Sequence, residues 1–194
     1  MSDDINYDKI QLTTEMMAYS LARTLNRHAY QILIDCAGTS TSGITLGDGA
    51  WDEDNEAIDD DIKHIKRAFE DQEGFDYELT DMFVSRTAEH AAEDYYEAVK
   101  PQGYTPDNIR GAKLKGIKEL ASGLLGLDMN IKPAKWYYNI DTKDNRLYDK
   151  YGSFIHINRY DQTDIKPRYT IIQMYVIYGF GVLDNDAVCF VEGV

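Results

Sequence analysis

Hydrophobic positions first recur at helical steps within residues 13–36, inside a long run that contains no glycine or proline. Steps of three and four residues place five side chains on one face of a helix. These are Met17, Leu21, Leu25, His28 and Ile32. We expect the hydroxyl of Thr13 to cap the start of this helix and Gly38 to end it. The pattern predicts one long amphipathic helix, with His28 as a hydrogen-bonded core or interface residue. Residues 1–12, which precede it, are polar, and their apolar positions alternate as in a strand.

A second helical pattern follows a run of acidic residues, WDEDNEAIDDD, at positions 51–61. The run leads directly into an apolar stripe at helical steps. That stripe consists of Ile58, Ile62, Ile65 and Phe69. Acids at the start of a helix, with Lys66 and Arg67 near its end, suit the helix dipole. We expect a helix that packs this stripe on the core and is closed by Gly74.

Strand and helix patterns alternate as far as residue 140. Residues 82–84 are typical of a short buried strand, and Ser85 suits the cap of a third helix. The apolar side of that helix carries Ala88, Ala91, Ala92, Tyr95 and Val99. The alternation predicts a small α/β layer.

The following segment predicts a helical region after Thr105, interrupted by Gly111 and Gly116. Strands are predicted at residues 128–131 and 136–140. Between them and the helical region, Gly123 and Gly126 lie in an apolar stretch, where we expect them to permit close packing.

The tail is rich in β-branched and aromatic residues. It predicts a strand at residues 169–178, a bend at Gly179 and Gly181, and a closing strand at residues 187–191. The glycine-, serine- and threonine-rich segment 37–49 is the best candidate for a domain boundary.

Composition narrows the classes of function. A net charge of −14 argues against a protein that grips nucleic acid through its phosphates, because such a protein needs a clustered positive surface. Two cysteines in apolar context, Cys36 and Cys189, favour buried free thiols over a disulfide. The sequence shows no signal peptide and no apolar run of membrane-spanning length, so we expect no membrane association. Fifteen tyrosines suit a protein with much contact surface.

The acidic run does not match a calcium loop. Counting from Asp52, oxygen ligands fall at alternate positions, but the sixth position is Ala57 and the twelfth is Lys63, where the loop needs glycine and a bidentate acid. A solvated helix start explains the run better than a metal site.

The remaining candidate chemistry is equally weak. His28, His64, His90 and His156 lack both zinc spacing and a nucleophile nearby in sequence. The glycines of the segment GITLGDG lack the Lys-Ser/Thr ending of a phosphate loop. The sequence therefore predicts no catalytic residue, no cofactor-binding residue and no metal ligand.

The order of elements resembles the major capsid proteins of tailed phages, which carry the fold named after phage Hong Kong ninety-seven. Residues 12–20 (LTTEMMAYS) are similar to the motif that opens the family's spine helix, and residues 51–74 and 79–96 to its next segments. Residues 124–127 (LLGL) and 179–194 resemble its later strands and its C-terminal sequence. Order and spacing carry this resemblance, since no single motif is specific.

The resemblance implies an α+β fold. A P domain would comprise residues 1–46, with the spine helix at about 13–36, and residues 136–194, whose C-terminal strands join the P-domain sheet. Residues 47–135 would form a small α/β A domain. Family members carry an N-terminal arm and an extended hairpin loop before the spine helix, and this chain is expected to lack both.

By the same resemblance, the chain is a non-catalytic shell subunit that assembles into pentamers and hexamers and encloses DNA without binding it specifically. Scaffold, portal or decoration proteins would be its further partners. Its location would be the virion capsid, assembled in the host cytoplasm. An encapsulin-like compartment shares this fold and stays an alternative.

The competing hypothesis from another class is an acidic metal-binding protein or enzyme. Its ligands would be Asp52, Asp54, Asp59, Asp60 and Asp61. Calorimetric titration with Ca²⁺ or Mg²⁺ separates the two classes: we expect no saturable heat from a shell subunit. Tight binding that Asp54→Asn combined with Asp60→Asn abolishes would favour the metal hypothesis instead.

Overall fold

The structure is a computed structural model that describes residues 2–37, 51, 58–71, 75–99, 108–138, 156–162, 169–192 and 194. The helices of this part are α1 (Ser2–Asp35), α2 (Ile58–Glu70) and α3 (Arg86–Val99). The strands are β1 (Asp81–Val84), β2 (Lys113–Gly116), β3 (Leu124–Leu127), β4 (Ala134–Tyr138), β5 (His156–Gln162), β6 (Tyr169–Tyr175), β7 (Tyr178–Val182) and β8 (Val188–Val191).

The long helix is present, but it begins at Ser2 and not at Thr13. The strand predicted within residues 1–12 is therefore wrong, as is the cap. The hydroxyl of Thr13 donates to the carbonyl of Lys9 at 2.8 Å, which is the bond of a threonine inside a helix. Two alternating apolar residues were too short a pattern to separate a strand from the first turns of a helix. Gly38, the predicted stop, lies outside the described residues.

The buried face of α1 is rotated from the predicted one. Its members are Thr14, Ala18, Leu25, Ala29 and Leu33. Only Leu25 belongs to the predicted stripe, and His28 is exposed, so the prediction of a core histidine is wrong. The prediction counted large apolar side chains, whereas small alanines occupy much of the buried face. The buried hydroxyl of Thr14 donates to the carbonyl of Ile10 at 2.8 Å, which satisfies it within the helix.

Helix α2 confirms its predicted stripe, since Ile58, Ile62, Ile65 and Phe69 are all buried. They join the main hydrophobic core with residues of β1, α3 and β3. The helix ends at Glu70, and Gly74 lies outside the described residues.

Strand β1 and helix α3 are also confirmed. The amide of Ala88 donates to the Ser85 hydroxyl oxygen at 3.1 Å, so Ser85 is the predicted cap. Of the predicted apolar side, Ala88 and Ala92 are buried, whereas Val99 is exposed. Tyr96, which the stripe omitted, is one of the largest fully buried side chains.

The helical region predicted after Thr105 is a strand over residues 113–116. Ile109 and Ala112 form an antiparallel bridge around Arg110 and Gly111, whose φ angles are 51° and 92°. Two consecutive left-handed residues cannot continue a helix, and they are characteristic of a tight turn between extended segments. The turn delivers β2 to lie parallel to β1, with α3 as the crossover that a parallel pair requires.

Strand β3 is the centre of a four-stranded sheet with the order β2-β1-β3-β8. It pairs antiparallel with β1 on one side and with β8 on the other, and all four of its residues are buried. The strand predicted at residues 128–131 is wrong, because residues 129–131 form a turn that follows β3. The closing strand predicted at residues 187–191 is confirmed by β8.

Two glycines allow these close strand contacts, as predicted. A Cβ atom at Gly126 would lie 2.6 Å from the sulfur of Cys189 and 2.7 Å from a methyl carbon of Leu79. A Cβ atom at Gly123 would lie 2.7 Å from the Phe190 ring. Both distances are shorter than van der Waals contact, so neither position accepts a side chain without a shift of its neighbours.

The remaining strands form two pairs. β5 pairs antiparallel with β6 over seven residues, and β4 pairs with β7. The predicted strand at residues 169–178 is in fact two, β6 and the start of β7, while Gly179 and Gly181 lie within β7 and do not form the expected bend. The Trp136 ring contacts the rings of Tyr178 and Phe180, at centroid distances of 5.5 and 4.7 Å.

The chain divides into two compact units. Unit 1 consists of Met1–Asn26 with Trp136–Phe180, and unit 2 of Arg27–Lys135 with Gly181–Val194. The C-terminal strands were predicted to join a P-domain sheet, but β8 completes a sheet whose other strands lie in the predicted A domain. The division into P and A domains at residues 46 and 135 stays a prediction.

Both cysteines are free thiols. Cys189 is buried, and burial raises the pKa of its thiol to about 12. Cys36 is only partly buried, which corrects the expectation of two buried thiols. No helix in the described ranges is both long and apolar enough to cross a bilayer.

The contact at Gly126 makes a prediction about stability. We expect Gly126→Ala to lower the free energy of unfolding by about 1–3 kcal/mol, because the added methyl group must displace Cys189 or Leu79. Gly181→Ala is the matched control, since a Cβ atom there meets no atom of the described residues within 4 Å. Urea denaturation followed by circular dichroism measures both. Equal stability of the two variants would contradict the close β3–β8 contact.

Candidate functional site

The acidic residues at the start of α2 face three different partners. Asp61 is buried and accepts a hydrogen bond from the indole nitrogen of Trp51 at 3.1 Å. Asp60 is exposed and lies 3.4 Å from the ammonium group of Lys63. Asp59 is turned toward Arg110, in the turn before β2. Successive helical residues are rotated by about 100°, so these carboxylates diverge and do not surround one ion.

The metal hypothesis gains no geometric support from this part of the chain. Across the residues that the structure describes, no group of three or more His, Cys, Asp or Glu side chains is placed to hold a metal ion. Asp52 and Asp54, two of the five proposed ligands, lie outside the described residues.

The histidines do not come together either. His28 lies on α1, His64 on α2 and His90 on α3, all three exposed, and His156 lies in β5. Each histidine thus lies on a different element, and the prediction that none is catalytic or metal-binding stays a prediction.

Asp59 is the centre of a charged hydrogen-bond network. The guanidinium of Arg110 donates to it through Nε at 2.9 Å and through a second nitrogen, and the hydroxyl of Tyr96 donates to it at 3.1 Å. The Arg110 hydrogen bond, opposed by burial, lowers the pKa of the Asp59 carboxyl below its usual value. Burial and the neighbouring Asp59 raise the pKa of Tyr96, so its hydroxyl stays a donor. The network ties α2, α3 and the turn before β2 together.

A charged groove lies next to this network. It encloses about 400 Å³ and is lined by Lys63, Lys66, Arg67, Glu70 and Arg110. The ammonium group of Lys66 donates to the carbonyl of Arg110 at 2.8 Å and pairs with Glu70 at 3.4 Å. Four of the five lining side chains are cationic, and Asp59, Asp60 and Glu70 pair with three of them. We call these five residues the α2 groove.

Sequence reasoning found two of the five residues of this groove. It noted Lys66 and Arg67 as partners of the helix dipole, but not Arg110, which lies 51 positions from Asp59. No local pattern signals that pairing, because the left-handed turn at Arg110 and Gly111 brings it about.

A second buried carboxylate has a structural role. Asp128 accepts hydrogen bonds from the amides of Glu78 and Asn130, at 3.0 and 2.9 Å. These backbone donors satisfy the charge where β3 ends, and no nucleophile or base lies beside it among the contacts described here.

Comparison with known proteins shows the family of the chain. The sequence profile described as phage capsid protein matches residues 1–191. The chain belongs to the phage capsid protein family. The resemblance inferred from the order of elements is thereby confirmed at the level of the family.

The other comparisons add little to this assignment. No curated protein matches the capsid protein described here. Among solved structures it is similar to a chain of the "Satellite phage P4 procapsid including size determination (Sid) protein", at 14% identity and a TM-score of 0.42. The match covers 71% of this chain but only 38% of that one, so the capsid protein described here spans well under half of that chain's length.

Membership of a capsid protein family implies a structural role. The polar residues of the described part form a structural network around Asp59, and the α2 groove beside it is a charged surface open to solvent.

The Asp59 network predicts a pH-dependent stability. We expect Asp59→Asn to lower the free energy of unfolding by about 1 kcal/mol at neutral pH, a modest loss because water screens the partly exposed pair. The folded-state pKa of Asp59 is depressed, so its stabilisation is present above the unfolded-state pKa and is lost as pH falls through the folded-state pKa. The difference between the two proteins should therefore shrink in acid.

The adjacent Asp60→Asn is the control, because its carboxylate is largely exposed and makes only a 3.4 Å contact with Lys63. Urea denaturation between neutral and acidic pH measures all three proteins. A loss at Asp60 as large as that at Asp59, or a loss at Asp59 that persists unchanged in acid, would contradict the network.

Proposed function

We propose that this chain is the major capsid protein of a tailed virus or prophage, a self-assembling subunit of an icosahedral shell that encloses DNA and performs no catalysis. The observation that carries the proposal is the family match over residues 1–191. The proposed location is the virion capsid, after assembly in the host cytoplasm, and the proposed partners are further copies of the chain together with scaffold, portal or decoration proteins.

Helix α1 supports the proposal as a candidate spine helix of a Hong Kong ninety-seven-like fold. Its 34 residues extend over about 51 Å at 1.5 Å per residue. Within unit 2, the ring of Tyr30 on α1 lies 5.9 Å from the ring of Phe83 on β1. The end of the helix therefore contacts the sheet that strand β8 completes. A spine helix that packs against a sheet containing the C-terminal strand would give this arrangement.

The domain assignment follows the same reasoning. We assign the A domain to the β2-β1-β3-β8 sheet with α2 and α3, and extend it from residues 47–135 to include β8, because β8 pairs with β3. Unit 1, which contains the start of α1 and the β5–β6 pair, would then supply the P domain.

The negative net charge of the chain suits a capsid shell that encloses DNA. A net charge of −14 disfavours broad binding of phosphates, so we expect packaged DNA not to adhere to the shell. The divergent directions of Asp59, Asp60 and Asp61 agree with a structural protein and favour the shell over the metal-binding alternative.

The particle state tests this proposal. We expect size-exclusion chromatography with light scattering to find assemblies much larger than 22.2 kDa, and negative-stain microscopy to find rings of five or six, sheets or closed shells. Particles purified from cells that carry the virus should protect DNA from nuclease. A chain that stays monomeric at every concentration and salt, or particles that hold protein cargo and no DNA, would contradict the proposal.

A further inference from the structure

We propose that the α2 groove of one copy binds the exposed carboxylates of α3 from a second copy, so that neighbouring subunits associate head to tail. The carboxylates are Glu93, Asp94 and Glu97. The inference rests on the proposed function in one respect, because it assumes that copies of the chain assemble. Beyond the proposed function, it specifies which two surfaces of neighbouring copies contact each other.

The groove holds a cation that no described carboxylate neutralises. Within the described residues, Arg110 pairs with Asp59, Lys66 with Glu70 and Lys63 with Asp60. Arg67 is exposed, and no carboxylate of the described residues pairs with it. Lys63 is also accessible, with 36% of its side chain exposed and a carboxylate partner that is itself 72% exposed. The groove thus offers positive charge at its open side.

Helix α3 offers the complementary charge. Glu93, Asp94 and Glu97 are exposed, on the side of the helix away from the buried Ala88 and Ala92. None of the three forms an ion pair with a described residue. Glu93 and Glu97 are one turn apart, so the patch is about 6 Å long, which is the scale of the groove between Lys63 and Arg67.

One copy cannot satisfy both surfaces by itself. Tyr96 of α3 faces α2 and donates to Asp59, whereas Glu93 and Glu97, on the same helix, point to solvent. The cationic and the anionic surfaces therefore belong to different helices, α2 and α3, and face different directions. A contact between two different surfaces of identical copies is heterologous, and its repetition gives a ring where the rotation closes and an open filament where it does not.

Charge complementarity favours a second copy over DNA as the occupant. Asp60 and Glu70 border the groove, so its cations do not form the continuous stripe that a phosphate backbone requires. A compact patch of three carboxylates, in contrast, can pair with the few cations at the open side of the groove. Copies with a charge of −14 repel one another at long range, but salt at physiological strength screens that repulsion beyond about 8 Å.

Reversal of charge tests the proposal. The groove variant carries Lys63→Glu and Arg67→Glu, and the helix variant carries Glu93→Lys and Glu97→Lys. We expect each to raise the concentration at which assemblies form by about tenfold, because attraction becomes repulsion at every contact. The combination of all four substitutions should restore assembly, because it reverses both sides of the contact. Light scattering against protein concentration measures assembly, and circular dichroism with thermal melting shows that each variant folds.

The matched control carries Lys115→Glu and Lys118→Glu, two exposed lysines outside the groove, and should assemble like the wild-type chain. A groove variant that assembles normally, or a combined variant as defective as its parents, overturns the proposal. So does a groove variant that assembles normally but loses binding to a duplex DNA probe, which would assign the groove to DNA. A wild-type chain that never associates overturns the proposed function as well, and is thereby distinguishable from failure of this contact alone.

Discussion

The fold of unit 2 depends on the absence of a side chain at one position of β3. Gly126 lies opposite Cys189 in the β3–β8 register, and its missing Cβ leaves room for the Cys189 sulfur and for Leu79. That contact lets a strand near the C-terminal end of the sequence complete a sheet that begins at residue 81. The sheet in turn provides the surface on which the apolar stripes of α2 and α3 are buried. Pairing strands that are far apart in sequence costs conformational entropy, because the intervening loop must close. Burial of apolar surface must offset that entropy cost before the sheet is stable.

The elements that the sequence predicted well are those whose buried residues recur at regular short spacings or whose cap is a single nearby side chain. The stripe of α2, the strand β1 and the Ser85 cap each follow from steps of three or four residues or from one hydroxyl. The errors have physical causes of a different kind. Helix α1 buries alanines, whereas the prediction counted larger apolar side chains. The chain reverses direction at Arg110 and Gly111 through left-handed backbone conformations, which hydrophobic periodicity does not reveal.

The candidate site was less accessible to sequence reasoning than the family. Its cations on α2 could be read from the sequence, but the pairing of Asp59 with Arg110 joins residues 51 positions apart and exists only because of the turn before β2. The family, in contrast, was recognised from the order of elements, which survives large sequence change. The match over residues 1–191 agrees with that recognition. Here the order of elements carried more information than any single motif, since none of the motifs was specific by itself.

The polar residues of the described core are used for structure. Asp59, Asp61 and Asp128 all accept hydrogen bonds from neighbouring donors, and exposed charged side chains lie on α2 and α3 as well as elsewhere on the described surface. Electron cryomicroscopy of particles purified from cells that carry the virus tests the proposal that copies of this chain form a shell. We expect a closed shell whose repeating density fits the β2-β1-β3-β8 sheet with α2 and α3 in every subunit. Particles whose wall consists of another protein, with this chain absent from it, would be incompatible with that proposal.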